Sequence, residues 1–264
     1  MKYVFILSIL ILELFSAVVK SPITTLKGNI ATINIEKIDV GMSGFIVHQL
    51  AENHSSILKN ALVKSFDETT KSATLELSEF STLSSNALPA GKWHVEVGDM
   101  AILAFGYTRG LLVAPNEEIY HRVTKATKNL QWIHPDIFAT ILSFNGHPTP
   151  LKEDFENLSD ATSVGLLFFY LDKRLFTLDA KSFKILNISD ADLVQESVQL
   201  PFYTRVPEID AAWWGEGSDE LEDYEPHYYE LMVTYNKKNK KLYEIVTGAD
   251  KKLHFLLQKF ENRE

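Results

Sequence analysis

Between Arg205 and Lys237 the chain has no lysine or arginine, and inside that window lies the stretch DAAWWGEGSDELEDYEPHYYE. Two adjacent tryptophans, Trp213 and Trp214, stand beside Glu216, Asp219, Glu220, Glu222 and Asp223. Carboxylates next to aromatic faces suit a cationic group, by charge and by the ring quadrupole. A calcium loop would need oxygens at alternating positions around a glycine turn, and EGSDELED has the oxygens without that register. The tryptophans could stack on sugars, but neighbours in a strand point to opposite faces, so one of the pair is expected in the core. A solvated acidic loop, anchored by that one buried tryptophan, is the competing reading.

Elsewhere the chemistry is scattered. Glu117 or Glu118 with His121 has the spacing of metal ligands on one helix face, but no second copy appears. A surface pair, including Glu118 with Arg122, is therefore preferred. His134 and His147 each precede a proline and flank one expected helix. They read as residues that close helix ends rather than as a shared site. Ser43 in VGMSGF lacks the G-x-S-x-G elbow, and no phosphate-binding glycine loop or zinc-protease helix is present. No catalytic residue, metal or cofactor is expected, and an envelope hydrolase would have only these scattered histidines and carboxylates behind it.

The whole chain narrows the partners. With 264 residues, 45% hydrophobic and 23% charged, it is long enough for a full core. A formal net charge of −9 argues against nucleic acid. The opening MKYVFILSILILELFSAVVKSP has Lys2, an apolar run from Tyr3 to Leu12, and small residues at Ser16 and Ala17. Residues 1–17 read as a signal peptide, with a mature chain from near Val18 and no membrane span after cleavage. An uncleaved anchor is the alternative, although the apolar stretch is short of the ~20 residues a span needs. Either exports the chain. There is no cysteine, hence no disulfide and no lipid-accepting thiol, which fits a bacterial envelope address: periplasm, outer membrane or cell surface.

The elements that must position these residues suggest an α+β fold of two β-rich lobes, each a small barrel or sandwich, joined by a helical segment. Residues 18–114 carry short strands, with Ile33, Ile35 and Ile38 roughly alternating and a hairpin at Asp67 to Thr70. Residues 115–160 turn helical. Asn116 caps a first helix whose face is Ile119, Val123, Ala126 and Leu130. A second helix starts at Pro135, stops at Asn145-Gly146 and faces inward through Ile137, Ile141 and Phe144. A third buries Leu151, Phe155 and Leu158. In residues 161–248 strands return: SVGLLFFYLD is expected as a central buried strand. YYELMVTYN, KKNK and KLYEIV read as a hairpin with a basic tip. Residues 249–264 form an amphipathic helix with Leu253, Leu256, Leu257 and Phe260 on one face.

Several long blocks, among them KIDVGMSGFIVH, LAFGYTRGLLVAPNEEIYHRVTK, IHPDIFATILSFNGHPTPLKEDF and WWGEGSDELEDYEPHYYEL, resemble the N-terminal domain family of the bacterial plasminogen-binding PgbA proteins. The resemblance runs from about Ile33 to Val246. It implies an exported, surface-associated protein that captures plasminogen, whose kringle domains bind lysine-like ligands, a cation set apart from an anion. On that implication two lysine groups qualify. Lys237, Lys238, Lys240 and Lys241 lie near Glu244; Lys251, Lys252 and Lys259 lie near Glu261 and Glu264. The terminal group is preferred, as an exposed chain end that fits a pocket more readily than a tight turn.

Overall fold

Six strands close on themselves. The computed structural model describes residues 18–80 and 93–261; the expected signal peptide and the terminal residue Glu264 lie outside them. The strands β1 (Val19–Lys27), β2 (Ile30–Asn34), β3 (Ser43–Ala51), β4 (His54–Asp67), β5 (Ser72–Glu79) and β6 (Met100–Leu103) form a closed antiparallel barrel in the order β1-β2-β5-β4-β3-β6. Alternation builds it: Ala31 and Ile33, Ala61 and Val63, Ala73, Leu75 and Leu77, and Ala101 and Leu103 are buried at every second position. The many alanines suit the narrow interior of a small barrel. A Cβ on Gly44 would lie 2.1 Å from the Ile102 carbonyl oxygen, so β3 and β6 can approach only with glycine there. The hairpin expected at Asp67 to Thr70 joins β4 to β5. Asp67 Oδ1 accepts the Thr69 and Thr70 N–H groups at 2.8 and 3.2 Å, which hold its carboxyl below the usual range.

The chain divides into two compact units between Tyr107 and Thr108. One strand expected in the first lobe therefore belongs to the second. Strand β7 (Arg109–Val113) runs parallel to β8 (Gln131–Ile133) and β9 (Leu166–Leu171). Antiparallel β10 (Arg174–Asp179) and β11 (Ile185–Asp190) complete a sheet in the order β11-β10-β9-β7-β8. The LLFFYL run is its fully buried centre, as expected. Asp172 and Lys173, both at positive φ, make the tight turn from β9 to β10.

Helices α1 (Glu117–Ala126), α2 (Pro135–Asn145) and α3 (Lys152–Thr162) pack with this sheet. Asn116 caps α1 by accepting the Ile119 N–H at 2.9 Å. Ile119, Val123 and Leu130 are buried, but Ala126 is exposed and Thr127 takes its place. Helix α2 has the expected ends and the opposite face. Phe138, Ala139 and Leu142 are fully buried, whereas Ile137 is 44% and Phe144 91% exposed. Both stripes are apolar, so periodicity alone could not choose between them. In α3, Phe155 and Leu158 are buried as expected, with Leu151 partly so.

The expected hairpin with a basic tip is a pair of helices, α4 (Tyr224–Tyr235) and α5 (Lys240–Gly248). Tyr224, Tyr228, Tyr229, Met232 and Val233 are buried at helical spacing. Two of the tyrosine hydroxyls find carbonyl acceptors there: Tyr224 donates to the Val113 carbonyl at 3.1 Å and Tyr228 to that of Pro201 at 2.9 Å. Asn239 caps α5 by accepting the Leu242 N–H at 2.9 Å. The last element is a 3₁₀ helix over Lys251–Lys259 rather than an α-helix. Its apolar face is the expected one, with Leu253, Leu256 and Phe260 buried and Leu257 partly so.

Candidate functional site

The acidic–aromatic stretch is a structured loop seated on the α2–α3 turn. Gly146 ends α2 at φ +74°, and its carbonyl accepts the Ala212 N–H at 2.9 Å. The Ser143 hydroxyl accepts the Asp210 N–H at 3.1 Å, and the Thr149 hydroxyl donates to the Asp219 carbonyl at 2.7 Å. The Thr149 N–H donates to the Gly217 carbonyl at 3.1 Å. Gly217, at φ +85°, fits closely against Thr149, His147 and Leu151.

Beneath that seat lies a buried polar knot. Asp154 is fully buried and accepts from the Leu151 N–H at 2.8 Å, the Asn145 amide at 2.7 Å and His147 Nδ1 at 2.9 Å. His227 Nε2 donates to the Pro150 carbonyl at 2.9 Å. Burial holds the His227 imidazole below its ordinary range, with the Pro150 bond opposing that effect.

Neither tryptophan is in the core. Trp213 is fully exposed and Trp214 is 84% exposed. The alternation argument fails because the pair lies in a loop held by its backbone, not in a strand. Glu216, Asp219, Glu220 and Glu222 are exposed without an ion-pair partner among the described residues. Asp223 differs: it meets Lys252 Nζ at 3.4 Å, and Glu225 meets the same ammonium at 3.8 Å. The acidic block and the terminal lysines, read separately from the sequence, thus touch at one point.

The terminal lysines divide into paired and free. Lys259 is paired with Glu230, and Lys252 is held as above, while Lys251 is exposed with no partner among the described residues. Among the described residues this segment is tied down as far as Glu261, for Phe260 is buried and the Glu261 N–H donates to the Lys237 carbonyl at 3.2 Å. That contact brings the α4–α5 turn beside the 3₁₀ helix, and Lys238 Nζ lies 3.5 Å from the Glu261 carboxylate. Lys241 donates to the Ile188 carbonyl at 2.8 Å, whereas Lys237 and Lys240 are exposed and unpaired among the described residues.

The histidines stay apart. His134 and His147 sit at opposite ends of α2, an 11-residue helix roughly 16 Å long, so they share no site. His134 Nδ1 caps α2 by accepting the Asp136 N–H at 3.2 Å. It packs with Tyr120 and Tyr203, ring centroids 5.4 and 6.4 Å away. Asp136 accepts from the Thr204 hydroxyl at 2.8 Å and from the Arg205 N–H and guanidinium at 2.8 and 2.7 Å. Burial would raise that carboxyl, but these bonds and His134 outweigh it and leave it at about 2. Glu117 and His121 form only a surface pair at 3.4 Å, and no cluster of three potential metal ligands exists among the described residues.

The chain matches the family described as "Plasminogen-binding protein pgbA N-terminal" over residues 18–232. It belongs to that family. Two proteins named plasminogen-binding protein PgbA, from Helicobacter pylori strains J99 / ATCC 700824 and ATCC 700392 / 26695, are each 25% identical to it over 204 residues. The matches cover 76% of this chain and 44% of each relative, so the chain spans less than half of their length. No solved structure matches it. The family region begins earlier than the resemblance noted above and stops within α4. It contains the whole acidic–aromatic loop. Lys237, Lys240, Lys251, Lys252 and Lys259 lie beyond it.

What the sequence missed is Phe144 at the rim of the loop. The signal was present: an α2 sequence apolar on two faces has one stripe more than a single core contact consumes.

Proposed function

We propose that this is an exported envelope protein, displayed to the outside, that binds plasminogen non-enzymatically through lysine side chains. Family membership and the printed name of the relatives carry that reading. The signal-like N-terminus supports export. No helix among the described residues is long and apolar enough to cross a membrane. The contact is assigned to the free ammonium groups Lys251, Lys237 and Lys240, with Glu244 one helical turn from Lys240 supplying an anion. Lys252 and Lys259 would first have to leave carboxylates that already hold them.

The test is binding of the full chain to immobilised plasminogen with and without a lysine analogue, using protein whose N-terminus is read by sequencing. We expect a start near Val18, analogue-sensitive binding, and loss of most of it when Lys237, Lys240 and Lys251 are all replaced by alanine. Removing residues 251–264 is not equivalent, because it strips Leu253, Leu256 and Phe260 from the core. Binding indifferent to the analogue or to the triple substitution rules out the lysine contact.

One observation favours a second reading. The family region ends before any of these lysines, as expected if the shared task is structural or assembly work in the envelope. Absence of analogue-sensitive plasminogen binding selects it.

A further inference from the structure

The second apolar face of α2 continues into the exposed tryptophan pair. Ile137 and Phe144 lie one above the other on the side of α2 away from the core, with Ile141 half-buried between them. The bonds from Ala212 to Gly146 and from Asp210 to Ser143 bring the loop to the C-terminal end of that helix. Trp213, Trp214 and Phe144, at 102%, 84% and 91% exposure, therefore emerge from adjoining backbone held by hydrogen bonds. Aromatic side chains exposed on adjoining, hydrogen-bonded backbone mark a contact surface, and such side chains dominate interface energetics.

Charge names the occupant. Glu208, Asp210, Glu216, Asp219, Glu220 and Glu222 flank the tryptophans along the chain, all exposed and all without an ion-pair partner among the described residues. No lysine or arginine occurs from residue 206 to 236 to neutralise them. An anionic membrane would be repelled by this rim, and a symmetric second copy would set acidic rim against acidic rim. We propose that this surface docks a basic segment of a protein partner, apolar side chains covering Phe144 and Ile137 while lysine or arginine lies over Trp213 and Trp214. The carboxylates speed the encounter and select the sign of the partner; the rings hold it. The surface is independent of the lysine contact proposed above: here this chain accepts cations instead of presenting them, and does so within the family region.

The probe is a fluorescent short peptide alternating lysine and leucine, followed by anisotropy against the full chain. Companion peptides replace lysine by glutamate or leucine by glycine. We expect the lysine–leucine peptide to bind best, with affinity falling as salt rises. Trp213→Ala with Trp214→Ala, and separately Phe144→Ala, should each raise Kd about tenfold or more. Glu216→Gln, Asp219→Asn and Glu220→Gln together should weaken binding and flatten its salt dependence. These side chains are exposed, so unchanged melting is expected and is checked for each variant. The proposal is overturned if the tryptophan and Phe144 variants bind like the parent, or if the glutamate–leucine peptide binds equally well. Tryptophan-dependent self-association or vesicle binding, with no preference for the basic peptide, overturns it too.

Discussion

Single side chains under the acidic–aromatic loop make its seat sensitive to acid. Burial depresses the His227 imidazole below its ordinary value of 6.5. As pH falls below that value the unfolded chain takes up a proton that the folded chain resists, so the stability present above it is lost. At the far end of α2, His134, also depressed chiefly by burial, acts in the same direction, though it is more exposed. Asp136 follows lower down: its carboxyl stays ionised to about 2 instead of 3.8, so its contribution persists until pH drops through that window. Urea unfolding between neutral and mildly acidic pH should show stability declining with acid. His227→Gln retains an N–H donor for the Pro150 carbonyl and should reduce the slope. An unchanged slope would mean that His227 titrates alike folded and unfolded.

Among the elements, the loop depends on how α2 ends. Gly146 occupies the left-handed region, and a Cβ there would stand 2.6 Å from Ala212 Cβ and 2.7 Å from its nitrogen. Gly146→Ala combines backbone strain with a clash against the first residues of the loop, a cost of about 2–3 kcal/mol. For a unit of this size that corresponds to a drop in Tm of roughly 5–10 °C. A calorimetric scan showing less than a degree of change would mean that Ala212 moves aside freely. The 3₁₀ helix is tied to α4 and α5 in a comparable way, through Leu253, Leu256 and Phe260. Its lysines are thus carried on a packed element, and their roles are tested by substitution rather than by truncation.

Across the molecule, the chain holds two compact units, of which the first carries a closed barrel with no unpaired edge among its described strands. Closure satisfies every strand on both sides and buries its own interior, from Ile23 and Ile33 to Leu103. Residues 18–107 expressed alone should therefore fold, giving a β-type circular dichroism spectrum and a single cooperative melt. Gly44→Ala should abolish that melt, since its Cβ would enter the β6 backbone. A non-cooperative transition in the isolated parent segment would show that the barrel needs the rest of the chain.

Local chemistry was legible in the sequence wherever one residue decides it. Asn116 as a cap, Pro135 and Gly146 as the ends of α2, the turn after Asp67 and the continuous apolar run of β9 all follow from side-chain geometry or backbone permission. The family itself was legible in long blocks of residues. The sequence did not reveal which of two apolar stripes of α2 faces inward, because both satisfy the same period. Nor did it show that YYELMVTYN is helical, because the hydroxyls of Tyr224 and Tyr228 are accepted by carbonyls far along the chain. The exposure of both tryptophans was equally hidden, since it depends on backbone bonds to the α2–α3 turn. Those outcomes are set by partners distant in sequence, and tertiary packing alone brings them within reach.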